Sequence, residues 1–321
     1  MAGNRTSWIN AGAAALVGMG GALFLAARVR RNNMPFDRRS CWASRMLVAT
    51  ALALEAGRAM LDAKALCAKE GQEGRGEEGG VSYKGRHDLV TETDRSNEAL
   101  IQQGLGRAFP EDQFLGEEAS AERGGAPLEL SENALTWIVD PIDGTTNFVH
   151  GFPVTCVSIG LARGSEVVLG VVYNPFTKEL YQAVKDGGAF LNGHSLEASR
   201  TTVMGDAMVV AEYSSLREEE SLRQMLDTTG ALAGAARAVR QTGCGAMDLC
   251  FLARGSVDAV FGGVAGVWKP WDWAAGVLIA SEAGAVITAG DGAKFRVMGD
   301  TLLGAATAKL GSSLRTLLAK Q

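Results

Sequence analysis

Histidine is scarce in this chain of 321 residues, with three in all, and the five cysteines contain no Cys-x-x-Cys pair. No His stands at zinc-ligand spacing from Cys41, Cys67, Cys156, Cys244 or Cys250, which removes the zinc modules that short spacing would announce. The cysteines therefore read as free thiols of a reducing compartment. Basic residues are not in excess either: 31 Lys and Arg stand against 36 Asp and Glu, a formal net charge of −5. A nucleic-acid backbone face needs a basic stripe to displace counterions, so no nucleic-acid partner is expected. No fixed period runs through the 41 glycines, which excludes a solenoid or repeat array. What is present, 47% hydrophobic and 21% charged, is ordinary globular material, enough for one large domain or two fused ones.

Acidic residues are missing altogether before Asp37. Within that region Trp8 to Ala27 is apolar or small on every side and about the length needed to cross a bilayer. Arg28, Arg30, Arg31, Arg38 and Arg39 follow it, and only Arg5 precedes it. Two readings fit. One is a helical membrane anchor at residues 8–27 that leaves the remainder of the chain in the cytosol by the positive-inside rule. The other is an organellar transit peptide, rich in Arg and free of acid. Either way residues 1–35 are an anchor or targeting segment, and residues 36–321 form the folded domain.

Asp37 can cap a helix that runs to about Glu70, with Leu47, Ala51, Leu54 and Leu61 on one face and Gly71 as its stop. Gly71 to Gly80, rich in Gly and Glu, reads as a loop. Leu89 to Thr91 reads as the end of a strand, after which Asp94 opens a helix to about Phe109. Val154 to Arg200 reads as an antiparallel meander punctuated by Gly164-Ser165, Asn174-Pro175 and the hairpin signal Asn192-Gly193. A second set of elements begins at Ala207 to Ala211, with helices near Ser221 to Thr228 and from Gly245 to Arg254 and a strand at Val257 to Phe261. Gly262 to Pro270 is a loop. Such an order predicts a large layered α/β protein.

The chemistry is concentrated in Trp137-Ile138-Val139-Asp140-Pro141-Ile142-Asp143-Gly144-Thr145-Thr146-Asn147-Phe148-Val149-His150-Gly151-Phe152-Pro153. Trp137 to Val139 reads as a buried strand that stops at Asp140. Pro141 stiffens the next step and brings Asp143 to the side of Asp140, with the Ile142 carbonyl between them. Gly144 allows a tight backbone, and Thr145-Thr146-Asn147 starts a helix with free N–H groups. The whole is suited to a hard cation and a phosphate.

This run resembles the first signature of the inositol monophosphatase family, magnesium-dependent and lithium-sensitive sugar phosphatases. Three further segments extend the resemblance over about Lys84 to Gly284: Lys84-Gly85-Arg86-His87-Asp88-Leu89-Val90-Thr91-Glu92-Thr93-Asp94, then Phe114-Leu115-Gly116-Glu117-Glu118, then Trp271-Asp272-Trp273-Ala274-Ala275-Gly276 and its continuation to Gly284. The resemblance implies a layered αβαβα sandwich, with the N-terminal apolar helix outside it, and a homodimer. It implies Glu117, Asp140, the Ile142 carbonyl, Asp143 and Asp272 as metal ligands. Carboxylates so gathered repel one another and raise their pKa values unless cations are bound, and an all-oxygen set favours magnesium over zinc.

The implied reaction is direct in-line attack of a metal-activated water on a phosphate monoester, inositol monophosphate above all. Thr145 and Asp94 form a general-base relay for that water, with Glu117 as the third catalytic residue. Glu117, Ile142, Asp143, Gly144, Thr145, Gly243, Cys244, Gly245 and Asp272 surround the substrate. Three departures from the family pattern stand out: Ala119 replaces a common Ser, Cys244 replaces a hydroxyl residue, and Gly262 or Gly263 stands where inositol-specific members carry a Glu that grips sugar hydroxyls. Trp268 or Lys269 is expected to line the pocket instead. Histidinol-phosphate and nucleotide 3′-phosphate phosphatases, and a non-catalytic metal-binding scaffold, are the alternatives.

Overall fold

The computed structural model describes residues 41–73, 81–83, 89–123, 130–212, 218–262 and 268–320. The apolar stretch Trp8 to Ala27, the cap expected at Asp37, the motif residues Lys84 to Asp88, and Gly263 lie outside them. Among the described residues no helix is long and apolar enough to cross a membrane.

Helix α1 (Ala43–Glu73) opens the fold, and a ribbon of β1 (Val81–Tyr83) and β2 (Leu89–Thr91) leads to α2 (Glu92–Ala108). Next come β3 (Gln113–Gly116), α3 (Glu117–Glu122), β4 (Leu135–Asp143) and α4 (Thr145–His150). The expected meander follows as β5 (Cys156–Arg163), β6 (Glu166–Asn174), β7 (Glu179–Val184), β8 (Ala189–Leu191) and β9 (His194–Ser195). Then come β10 (Met208–Ala211), α5 (Glu219–Ala235), β11 (Ala238–Arg240), α6 (Gly245–Ala253) and β12 (Ala259–Gly262). Helix α7 (Pro270–Glu282), β13 (Val286–Thr288), β14 (Leu302–Ala305) and α8 (Ala308–Leu318) complete the chain.

Seven strands, in the sequence order β3 to β9, form one sheet that is antiparallel except for the β3–β4 pair. A second sheet has the order β11-β10-β12-β14-β13, parallel on one side of β12 and antiparallel on the other. Side chains alternate across a strand, so Trp137 and Val139 of β4 enter one core while Ile138 enters another. The first core presses α1 and α2 on the seven-strand sheet. The second, between the sheets, is filled by α6 and α7 with Met247, Leu249, Trp273 and Ile279. In the third, Leu232 of α5 and Leu310 and Leu314 of α8 cover the far face of the five-strand sheet. Helices and sheets thus alternate in five layers.

Helix α1 corrects the expectations. The buried row of α1 is Met46, Ala49, Ala53, Ala56 and Met60, whereas Leu54 is half-buried and Leu61 is 37% exposed. Bulk at the seven-residue spacing of Leu47, Leu54 and Leu61 is the louder sequence signal, but the helix faces the sheet along a row of alanines bounded by Met46 and Met60. A Cβ on Gly57 would lie 2.6 Å from the Tyr173 ring. The helix also passes through Gly71 to Glu73. Helix α7 behaves as its small residues foretell: a Cβ on Gly160 of β5 would meet Ala274 Cβ at 2.9 Å, and one on Gly170 of β6 would meet the Ala275 carbonyl at 2.6 Å. Helix backbone therefore rests almost directly on sheet backbone.

Candidate active site

Residues three apart on a regular strand point to opposite faces. Asp140 and Asp143 nevertheless converge, because β4 does not stop at Asp140 as expected but continues through a bulge. Asp140 pairs with Ser158 and Asp143 with Cys156, three steps on β4 against two on β5. Pro141 has no N–H to give to the ladder, which makes this the place where pairing fails at least cost. The Asp140 carboxylate secures the bulge by accepting the Ile142 N–H at 3.0 Å. Gly144 then turns with φ 80°, and a Cβ there would lie 3.0 Å from the Val154 carbonyl.

Asp272 arrives from the opposite layer. Pro270 occupies the first turn of α7, and the Asp272 side chain accepts the Lys269 N–H at 2.6 Å, so the helix start itself orients the carboxylate. Carboxylate oxygens of Asp140, Asp143 and Asp272 lie within 4.8 Å of one another. Glu117, the first residue of α3, adjoins this triad without joining it at that distance, and its charge acts on both Asp140 and Asp272. Burial, then the charges of Glu117, Asp143 and Asp272, push Asp140 well up. Burial, then the charges of Asp143 and Glu117, do the same to Asp272. Asp143 is raised to about 6 by burial, against the pull of the Ala246 N–H that its Oδ2 accepts at 2.6 Å. Three desolvated acids around one point, all offering oxygen, suit a hard divalent cation.

Thr145 and Asp94 are also brought together. The Thr145 hydroxyl is 3.2 Å from Asp94 Oδ1 and 3.1 Å from the Ile142 carbonyl, and its single proton serves both acceptors in turn. Asp94 is the third residue of α2, whereas the N-cap is Thr91. Asp94 Oδ2 accepts from the Thr91 N–H at 2.9 Å and from the Thr91 hydroxyl, which leaves Oδ1 for Thr145. It caps and serves the site at once. Burial outweighs these hydrogen bonds and raises Asp94 above the ordinary carboxylate range.

The loop before α6 is held from behind. Glu212, just past β10, accepts the Thr242 N–H at 2.5 Å and the Gly243 N–H at 3.1 Å. The Asn147 amide donates to the Val154 and Thr242 carbonyls, both at 2.7 Å, and so ties α4 to the same loop. The Gly243 N–H is therefore committed to the interior, and the Cys244 side chain is buried against the Asp143 carbonyl rather than facing the cleft. Burial and the Glu212 charge push Asp248, which accepts the Thr242 hydroxyl at 2.6 Å, well up. Glu98 of α2 does for α3 what Glu212 does for the loop, taking the Glu118 and Ala119 N–H groups at 2.8 and 2.7 Å. Glu98, Glu212, Asn147 and Asp248 are not among the sequence-derived site residues. Only Glu212 offers a signal, an acid at the end of an apolar strand like Asp140.

The family model of the inositol monophosphatase family matches residues 42–321. The chain belongs to that family. An inositol monophosphatase of Mesembryanthemum crystallinum is 42% identical over 217 residues, 68% of this chain and 78% of its own length. Inositol monophosphatase 2 of Solanum lycopersicum is 42% identical over 219 residues, covering 67% and 80%. The solved structure of inositol monophosphatase from Anabaena (Nostoc) superposes with a TM-score of 0.72 at 27% identity, over 88% of this chain and 97% of that one. Members of the inositol monophosphatase family are phosphoric monoester hydrolases, and this chain is an enzyme of that class.

Against the inositol monophosphatase pattern, the departures acquire physical form. Ala119 acts through its backbone N–H, so the lost hydroxyl leaves the Glu98 contact untouched. Gly262 ends β12, and a Cβ there would lie 2.6 Å from the Trp268 ring. The indole thus occupies the space a side chain at position 262 would need. Trp268 is buried beside Trp273, ring centroids 6.4 Å apart, while Lys269 is exposed.

Proposed function

We propose that the protein is a magnesium-dependent phosphomonoesterase that hydrolyses inositol monophosphate by direct attack of water, without a covalent enzyme intermediate, and that lithium inhibits it. The observation that carries this reading is the meeting of Asp140, Asp143 and Asp272 within 4.8 Å beside the Thr145–Asp94 pair. Asp140, Asp143, Asp272, Glu117 and the Ile142 carbonyl would hold the ions. Bound magnesium would supply positive charge to the phosphate and lower the pKa of the attacking water. Thr145 orients that water through its hydroxyl, and Asp94, as acceptor of the Thr145 proton, strengthens it as a base, a device worth about 10²- to 10⁴-fold in rate. The Gly144 and Thr145 N–H groups receive phosphate oxygens. Gly243, Cys244 and Gly245 shape the wall beside them.

The test is release of phosphate from inositol 1-phosphate by purified protein as magnesium is titrated. Asp140→Asn and Asp272→Asn each lose a charged ligand without losing volume, so both are expected to keep the fold by circular dichroism and lose nearly all turnover. Near wild-type release from either folded variant rejects the site.

Selectivity follows from Gly262. A buried carboxylate accepting from two sugar hydroxyls would discriminate strongly, because a poorer substrate leaves the charge unpaired. Glycine has no such grip, and phosphate and metal contacts do not depend on the alcohol. Glycerol 2-phosphate and histidinol phosphate are therefore expected to be turned over too, with kcat/KM lower by only about 1–3 kcal/mol. A preference for inositol 1-phosphate above about a thousandfold, roughly 4 kcal/mol, means that another group has replaced the missing carboxylate.

A further inference from the structure

Directly behind the carboxylate triad stand two thiols that the proposed chemistry does not use. Cys156 is the first residue of β5 and Cys244 is the N-cap of α6; both are buried, and their Sγ atoms are 3.8 Å apart. Together with a carboxylate oxygen of Asp143, the three donor atoms lie within 4.8 Å of one another. A disulfide would hold its sulfurs at about 2.05 Å, far closer than these. Two metal–sulfur bonds of about 2.3 Å at a tetrahedral centre set their sulfurs about 3.8 Å apart, which is the separation found here. The pair is spaced for chelation as it stands.

The donors select the ion. Two soft sulfurs and one carboxylate oxygen suit zinc or cadmium and reject magnesium. Both side chains are buried, and a cation that binds them takes the place of their protons. Cys244 Sγ rests against the Asp143 carbonyl at 3.5 Å.

We propose that Cys156, Cys244 and Asp143 form a site for a thiophilic divalent cation, back to back with the hard-cation site and sharing Asp143 with it. On binding, each thiol gives its proton to solvent and its sulfur bonds the metal. Asp143 belongs to both donor groups, so an ion on the thiols competes with one on the Asp140 side for the same carboxylate. Occupation of one site therefore weakens the other. Only this last consequence, inhibition of phosphate release by zinc, rests on the proposed function.

The test is X-ray absorption at the zinc edge of the full-length protein, reduced and loaded with one equivalent of zinc. A shell of two sulfurs at about 2.3 Å is expected, and a shell of oxygen and nitrogen alone overturns the proposal. The measurement is repeated with Cys41→Ser, Cys67→Ser and Cys250→Ala combined, and loss of the sulfur shell there overturns it as well. Cys156→Ala is expected to lower zinc affinity more than about tenfold in competition with a chromophoric chelator. Should that variant not fold, the absorption spectra of the other two proteins decide. A sulfur shell in a protein that releases no phosphate under any condition would leave the thiol site standing and reject the phosphatase reading.

Discussion

Asp143 joins three elements of the site: it closes the β4 bulge, receives the Ala246 N–H at the start of α6, and faces Asp272 of α7. Its carboxyl titrates near 6 in the folded protein, above the ordinary value of 3.8, because burial disfavours the charged form. Between those two values the folded state holds a proton that the unfolded chain has released. This carboxyl's contribution to the stability of metal-free protein is therefore fully present below about pH 4 and is lost as pH rises through about 6, by an amount on the order of 3 kcal/mol. In chelator, the melting temperature is expected to fall between about pH 4 and pH 6, and saturating magnesium should flatten that fall. Scanning calorimetry across this range decides; a level curve in chelator means the acids are paired in some other way. Asp140, Asp143, Glu117 and Asp272 are legible in the sequence because each follows or opens an apolar element with turn residues beside it. Glu98 is an acid inside a polar helix, a pattern that most solvated acids share, and Cys156 lies 88 positions from Cys244, so no spacing announces either role.

Helix α7 aims Asp272 only as well as its floor allows. Gly170→Ala would put a methyl group 2.6 Å from the Ala275 carbonyl, a backbone atom that cannot swing aside. The helix must lift, at about 1–3 kcal/mol of stability. Urea unfolding should report that loss, and activity should drop further than the remaining folded fraction explains, since Asp272 moves with the helix. Unchanged stability would mean that the sheet yields instead. Elements with strong signals emerge as expected: Asn192 and Gly193 take φ 51° and 83°, the left-handed pair a two-residue hairpin requires, and β5 to β8 fall where the turns place them. Strands β11 and β13 have three half-exposed or exposed residues each, too short for alternation to be visible, and β14 is buried along its whole length without a polar beat. Pairing partners far along the chain make those strands, not local preference.

The family match begins at residue 42, just ahead of α1. We propose that residues 1–35 serve only to place the enzyme and that residues 36–321 form a homodimer. Removing the segment is expected to give a soluble protein with unchanged circular dichroism, unchanged kcat/KM and twice the chain mass by light scattering. Loss of folding or turnover would move the boundary, and a single chain mass would remove the dimer.

The shared middle layer also sets an order in time. Asp272 is the last of the site acids to leave the ribosome, and it stands on the helix that separates the two sheets. A nascent chain can build β3 to β9 with α1 and α2 upon them, yet it still carries a bare floor at Gly160 and Gly170 and a crowd of carboxylates without their final partner. On the proposed site, translation halted before α7 is expected to yield an intermediate open to chaperones and proteases and without phosphatase activity.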